Sequence, residues 1–507
     1  MSLKKNILAN YISQIYVAVI GIVFLPLYIK YMGAEAYGLV GFFTMLQAWF
    51  MLLDLGLTPT ISRETARYCG ESMSALAYRR LFPVLSAIFT VIAVLAGTIL
   101  WFLADSIAIE WLKVDTIPLE DVIFSVQIMS ISVALRWMTG LYRGVIIGCE
   151  QLIWLSIVNI VIASLRFVGV FVSMWLYGFN PLVFFVHQLI VAILELLILY
   201  SKAMFSLPSK VSLPEYIGFS FSPVKPVLKF SLAIAFTSSI WVLVTQTDKL
   251  VLSGILSLTE YGYFTMAVLV SNGIMIISGP ISSSIMPRMA RLHAEGKYLE
   301  LLTIYKNATQ LVSIICGSAA IVIAFFAESL LFVWTGDLEL AKKTSPILTL
   351  YIIGNGFLAV SAFPYYLQYA KGNLRYHLIG NAIMAVILIP TIITTAIYYG
   401  ALGAGYAWLT INLLYLISWA GYVHHKLEPG LHTKWLLTDI IKVVAAPAII
   451  VFGSKYLTDM YCVETTRLSE LLQIIVISLL ALTAAVLSSS YFRVILFNFI
   501  SVKVKNV

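Results

Sequence analysis

Six ionisable side chains interrupt otherwise apolar runs of this sequence: Asp54, Arg136, Arg166, Glu195, Asp248 and Lys249. An ionised group inside hydrocarbon costs about 2.5–3.5 kcal/mol on insertion scales, so each calls for a partner or a function. The chemistry within their reach is binding rather than bond-making. A guanidinium offers planar, paired donors that grip phosphate oxygens two at a time. Glu195 sits at a depth that matches Arg136 or Arg166, so one ion pair is expected there. The other arginine is then left for an anionic substrate, because Asp54 lies too near one end of its run. Glu195, Asp248 and Asp54 are assigned either to ion coupling or to structural pairing. Asp439 and Lys442 stand close enough to a run's end to snorkel.

Helical spacing gives these residues directions. Ser156, Asn159, Ala163, Arg166, Val170 and Ser173 recur every three or four residues, a polar or small stripe centred on Arg166. Asn6, Asn10 and Gln14 form a similar line on the first run, and Ser231, Ser238, Thr245 and Lys249 form one on the seventh. A shared hydrated cavity explains these stripes; the alternative is that Ser, Thr and Asn hydrogen-bond helix to helix. The candidate substrate-binding residues are therefore Arg136, Arg166, Lys249, Asn159, Asn10 and Gln14. Trp137, Trp154 and Trp175 lie near the arginines in sequence and would either stack on sugar rings or serve as packing and interfacial residues.

The elements that must position these groups are membrane helices. The chain has 507 residues, 61% hydrophobic and 11% charged, with mean hydropathy +0.96. Soluble domains carry roughly 25% charged residues. The apolar blocks are about 20 residues long, enough for a helix to span about 30 Å of hydrocarbon, and the period-two alternation of a β-barrel is missing. The expected fold class is an all-α polytopic membrane protein of about 14 transmembrane helices, the first running from Ile7 to Ile29 and the last from Leu471 to Phe497. Lys4-Lys5, an apolar run and Ala34-Glu35-Ala36 imitate a signal peptide, but the apolar run is too long for one and is read as the first membrane helix.

An even number of crossings puts both termini on one side. Their side collects about 22 Lys and Arg, among them Arg63, Arg67, Arg79, Arg80 and Lys202, against about six opposite, so the termini are expected in the cytoplasm. Asp105, Glu110, Asp115, Glu120 and Asp121 cluster in one outer loop. The net charge of +8 is thus topology information and not a nucleic-acid face. Of Cys69, Cys149, Cys316 and Cys462, Cys462 alone faces the oxidising side, so no intramolecular disulfide is expected. His424-His425 is read as a solvated loop pair and not a metal site, and no cofactor is implied. No Walker A motif occurs. The largest outer loop, Ala104 to Asp121, is too short for a catalytic domain, so the protein is not expected to be an enzyme.

A weak internal repeat runs through the chain. A shift of 224 residues places Tyr37-Gly38 on Tyr261-Gly262, Ile61 on Ile285, Ala66-Arg67 on Ala290-Arg291 and Gly148 on Gly372. After a slip of two, Asn159 falls on Asn381 and Tyr177-Gly178 on Tyr399-Gly400. Six helices per copy put both copies in the membrane the same way round. Two lobes related by a pseudo-twofold axis along the membrane normal follow, with a substrate site between them at mid-depth and alternating access as the mechanism. The expected division is an N-terminal lobe over 1–215, a C-terminal lobe over 216–430, and two further helices over 431–507.

The stretch from Asn10 to Tyr68 resembles bacterial polysaccharide flippases of the Wzx type. The resemblance rests on Leu25-Pro26-Leu27-Tyr28-Ile29-Lys30-Tyr31-Met32-Gly33, Glu35-Ala36-Tyr37-Gly38-Leu39, Leu53-Asp54-Leu55-Gly56-Leu57 and Arg63-Glu64. Gln246-Thr247-Asp248-Lys249 followed by Tyr261-Gly262-Tyr263 is similar to the second-lobe signature. Such proteins belong to the multidrug/oligosaccharidyl-lipid/polysaccharide exporter superfamily. The resemblance implies movement of an undecaprenyl-pyrophosphate-linked oligosaccharide across the bacterial inner membrane for O-antigen or other surface polysaccharide. It also implies a cationic cavity, coupling to an H+ or Na+ gradient, and contact with membrane lipids, the polysaccharide polymerase and chain-length machinery. An ion-coupled multidrug antiporter of the same architecture is the alternative, with Glu195, Asp54 and Asp248 as its acids. A non-transporting scaffold is a third, and the polar stripes argue against it.

Overall fold

Every regular element is a helix among the residues that a computed structural model of the chain describes, 3–208, 225–461 and 466–493. Cys462 and the side chains of Lys4, Lys5 and Ser231 lie outside the described set. Among the described residues, twelve stretches are long and apolar enough to cross a membrane. One of them, Arg375–Leu427, has 53 residues, which as a straight helix would measure about 80 Å, far more than one crossing needs. It folds back at Gly400, whose φ of 59° and ψ of −141° suit a residue without a Cβ. Counting its two arms, and adding the 31-residue helix Lys225–Ile255, gives the fourteen crossings expected from the apolar blocks.

The chain divides into two compact units, Met1–Gly262 and Tyr263–Val507. In the first, the second membrane helix, Ala34–Phe50, tightens into a 3-10 turn over Met51–Asp54 and resumes as Leu57–Cys69 after two left-handed residues, Leu55 and Gly56. The Asp54 carboxylate accepts from the backbone N–H of Thr58 at 3.2 Å and from its hydroxyl. It thereby satisfies donors that a helix start leaves open.

The resumed helix lies against the fourth membrane helix, Leu119–Gly148, along a glycine ridge at Gly140, Gly144 and Gly148. Spacing of four puts all three on one face, where small residues let backbones approach. A Cβ on Gly144 would overlap the Ile61 side chain and stand 3.0 Å from the Thr58 carbonyl oxygen. Gly144→Leu is therefore expected to lower stability by about 1–3 kcal/mol, the usual cost of overpacking. Thermal unfolding in detergent would show it, and an unchanged midpoint would rule out close packing here. The ridge ends at two thiols, Cys69 and Cys149, with their sulfurs 3.2 Å apart.

In the second unit, Arg467–Ser488 packs with Lys442–Tyr461 on Ser318–Phe325 through Val322, Phe326, Val451, Ile477 and Ala481. Two readings of this region are corrected. His424 is not solvated: it is fully buried, its Nε2 2.6 Å from the Tyr305 hydroxyl and its Nδ1 3.0 Å from Nδ1 of His432. The helix Ala420–Leu427 runs past the expected loop boundary and turns His424 inward. Asp439 does not snorkel either. Helical structure begins at Leu431, so Asp439 lies two turns inside, buried and accepting from Gln310 Nε2 at 2.7 Å.

Candidate anion site

Three membrane helices of the first unit build one charged cluster. The fourth carries Arg136 and Arg143, seven residues apart and hence on one face. The sixth, Pro181–Ser206, starts at an Asn180 cap and carries Gln188 and Glu195 at the same spacing. The fifth spans Leu152–Tyr177 and holds Arg166 within a π-helical turn, Leu165–Gly169. Such turns insert one residue into the ladder and often mark functional sites.

Glu195 joins two of the three cations. Its Oε1 accepts from Arg143 at 2.6 Å, and its Oε2 accepts from Arg166. Arg143 donates its other terminal nitrogen to Asn159 Oδ1 at 2.7 Å. Arg136 donates to Gln47 Oε1 at 2.9 Å and to Gln188 Oε1, and its guanidinium lies 4.9 Å from the centre of the Phe43 ring. Gln188 in turn donates to the Arg166 carbonyl at 2.9 Å, which ties the two halves of the cluster together. The Nε atoms of Arg136 and Arg166 are buried without a partner. The Glu195 side chain is 2% exposed, but those of Arg143 and Arg166 are each 27% exposed. The cluster thus sets three guanidiniums, two of them paired with Glu195, against one carboxylate among the described residues, an excess of two positive charges. Such a cluster can hold a doubly charged anion or a diphosphate.

Of the residues proposed from sequence, the structure brings together Arg136, Arg166, Glu195 and Asn159. Others take up local positions. Asp54 caps its helix, and Lys249 donates to the Thr245 carbonyl at 2.6 Å with its Nζ 3.5 Å from buried Asp248. Asn10 is half-buried and Gln14 exposed on the first helix. That helix is held to the fifth by Tyr16 to Ser164 at 2.7 Å and Tyr28 to the Phe167 carbonyl at 2.8 Å. Trp137 is stacked on Phe89 with centroids 4.7 Å apart, Trp154 lies under Lys202, and Trp175 is exposed. Arg143 escaped the sequence reading, although its spacing of seven from Arg136 was the available signal.

Comparison with known proteins shows the family and the fold. A protein described as a putative O-antigen transporter of Salmonella typhi is 23% identical over 300 residues, 58% of this chain and 66% of its own length. One of the same description from Shigella flexneri is 21% identical over 80% of this chain and 94% of its own length. Among solved structures, the lipid II flippase MurJ in an inward closed conformation superposes with a TM-score of 0.74 at 14% identity, covering 97% of this chain and 99% of that one. An inward-facing multidrug resistance transporter of the MATE family gives 0.65 at 13% identity, over 84% and 96%. Residues 3–293 match the family described as polysaccharide biosynthesis protein. This protein belongs to that family, among the Wzx-type members of the superfamily that its opening stretch resembles.

Proposed function

We propose that this protein carries an undecaprenyl-pyrophosphate-linked oligosaccharide from the inner to the outer leaflet by alternating access, with both termini in the cytoplasm. The observation that carries the reading is the cluster of Arg136, Arg143 and Arg166 around Glu195. Its two surplus positive charges match a pyrophosphate, while the lipid tail stays in the bilayer. Coupling to H+ or Na+ would fall to Asp248 or Asp54, because Glu195 is committed to two arginines. The family and the relatives described as O-antigen transporters support a glycan cargo. The multidrug reading is disfavoured by the sign of the cluster, which repels cationic drugs.

Arg166→Ala leaves Glu195 paired with Arg143, so the fold is expected to hold while one gripping charge is lost. In a strain lacking its own copy of the gene, surface polysaccharide should fall roughly ten- to hundredfold, the worth of charge-assisted contacts of about 1.5–3 kcal/mol. Protein abundance in the membrane should stay normal, and Arg166→Lys should lie between. Full surface polysaccharide with Arg166→Ala would remove Arg166 from the site.

A further inference from the structure

The repeat acquires a physical meaning at Gly38 and Gly262, which correspond under the 224-residue shift, as do Ala34 and Leu258. A Cβ on Gly38 would overlap the carbonyl oxygen of Leu258. Reciprocally, a Cβ on Gly262 would stand 2.6 Å from the carbonyl oxygen of Ala34 and 3.3 Å from the Gly38 nitrogen. Two equivalent segments thus cross at their glycines, each backbone seated on the other, with a local twofold axis between them. All four residues lie in the first unit.

A strap from the loop after the third membrane helix, Ala75–Phe102, closes over this crossing. The buried Glu35 carboxylate accepts from the backbone N–H groups of Asp115 at 2.6 Å and Thr116 at 3.0 Å. Two residues earlier, Lys113 forms a parallel bridge with Ser257, accepts from the Leu258 N–H at 3.0 Å and donates its Nζ to the Ile255 carbonyl at 2.6 Å. Trp111 donates to Ser253 Oγ at 2.9 Å, and its indole lies 2.9 Å from where a Cβ on Gly254 would be. Residues 111–116 therefore fasten one repeat copy, at Glu35, to the other, at 253–258. The charge distribution puts this face outside.

We infer that the strap 111–116 and the Gly38–Gly262 crossing are the outer gate, and that Glu35 sets the latch. The inference rests on the transport reading. A cargo leaving on the outer side needs these equivalent segments to part, and the contacts between them described above are short polar bonds, glycine approaches and the Trp111 ring lying on Gly254. Such contacts break and re-form without melting a helix. The crossing admits no side chain, so it shuts tightly only with glycine at both positions.

The test uses the full-length protein with its four cysteines replaced by Ser and Lys113→Cys paired with Ser257→Cys. Bridged residues stand about 4.8 Å apart, within the Cα range of a disulfide. Whole cells are oxidised with copper phenanthroline, the cross-link is read by mobility after cleavage between the two positions, and newly made surface polysaccharide is followed. Oxidation should abolish transport and dithiothreitol should restore it, with the reduced protein as reference. Undiminished transport by fully cross-linked protein would overturn the gate. A second variant adds Gly38→Leu, which should prevent the cross-link in folded, monodisperse protein; an unchanged yield would also overturn it. Cross-link yield is independent of cargo, so a failure of the transport reading shows separately, as absence of polysaccharide in cells carrying the native sequence.

Discussion

Glu195→Gln is expected to deplete the folded protein from the membrane. The substitution keeps the volume, removes the charge and replaces one of the two accepting oxygens by an NH2 donor. Arg143 and Arg166 then lose the carboxylate they share, and their charges stand near each other and Arg136 without it, both arginines largely buried. Removing one partner of a buried ion pair costs about 3–5 kcal/mol because the other charge is left uncompensated. Total stabilities are typically about 5–15 kcal/mol, so the loss is a large fraction of the whole. Abundance in isolated membranes and the unfolding midpoint in detergent measure it. Adding Arg143→Gln should recover part of the loss, since it removes one of the two arginines left without their carboxylate and residues in one network are non-additive. If Glu195→Gln alone accumulates and melts like the native protein, Glu195 does not hold the cluster together.

The sequence reading found this carboxylate and one of its arginines by depth, and missed the other. Depth along a helix is legible because each residue advances about 1.5 Å; rotation about the helix axis is less so. The stripe from Ser156 to Ser173 assumes an unbroken α-helical period, but the π-turn at Leu165–Gly169 inserts a residue and shifts the phase by about 100°. Beyond the turn the stripe departs from the cluster. Asn159 and Arg166 join the charged groups, whereas Ser173 pairs with His187 at 2.8 Å; Ser156, before the turn, bonds back to the Leu152 carbonyl. The fourteen crossings were legible for a simpler reason: hydrocarbon thickness demands long apolar blocks whatever the packing. His424 was misread because its side depends on where a helix stops, the least certain part of any such reading. The matched glycines at 38 and 262 were visible as letters, but only the reciprocal contact with Leu258 and Ala34 shows why both are glycine.

Arg136 separates an anion site from a purely structural network, and its removal has the clearest functional consequence. Arg143 and Arg166 are each joined to Glu195; Arg136 is joined to no carboxylate among the described residues and instead bonds to the amide oxygens of Gln47 and Gln188. Glutamines orient a guanidinium without neutralising it, and the Phe43 face adds a modest attraction. A charge kept in this way is poorly explained as packing, because an apolar residue would avoid the insertion cost altogether. Arg136→Ala leaves two amides that can turn and hydrogen-bond elsewhere, so the protein should accumulate at a near-native level. Its transport should nonetheless drop roughly ten- to hundredfold, as expected for losing charge-assisted contacts worth about 1.5–3 kcal/mol. Arg136→Lys keeps the charge but lacks the planar fork that reaches Gln47 on the second helix and Gln188 on the sixth together, and should recover only part of the activity. Surface polysaccharide at the native level with Arg136→Ala would make the cluster structural; loss of the protein itself would make Arg136 a part of the fold. Depleted polysaccharide beside normal abundance is the outcome that only an anion-binding role produces.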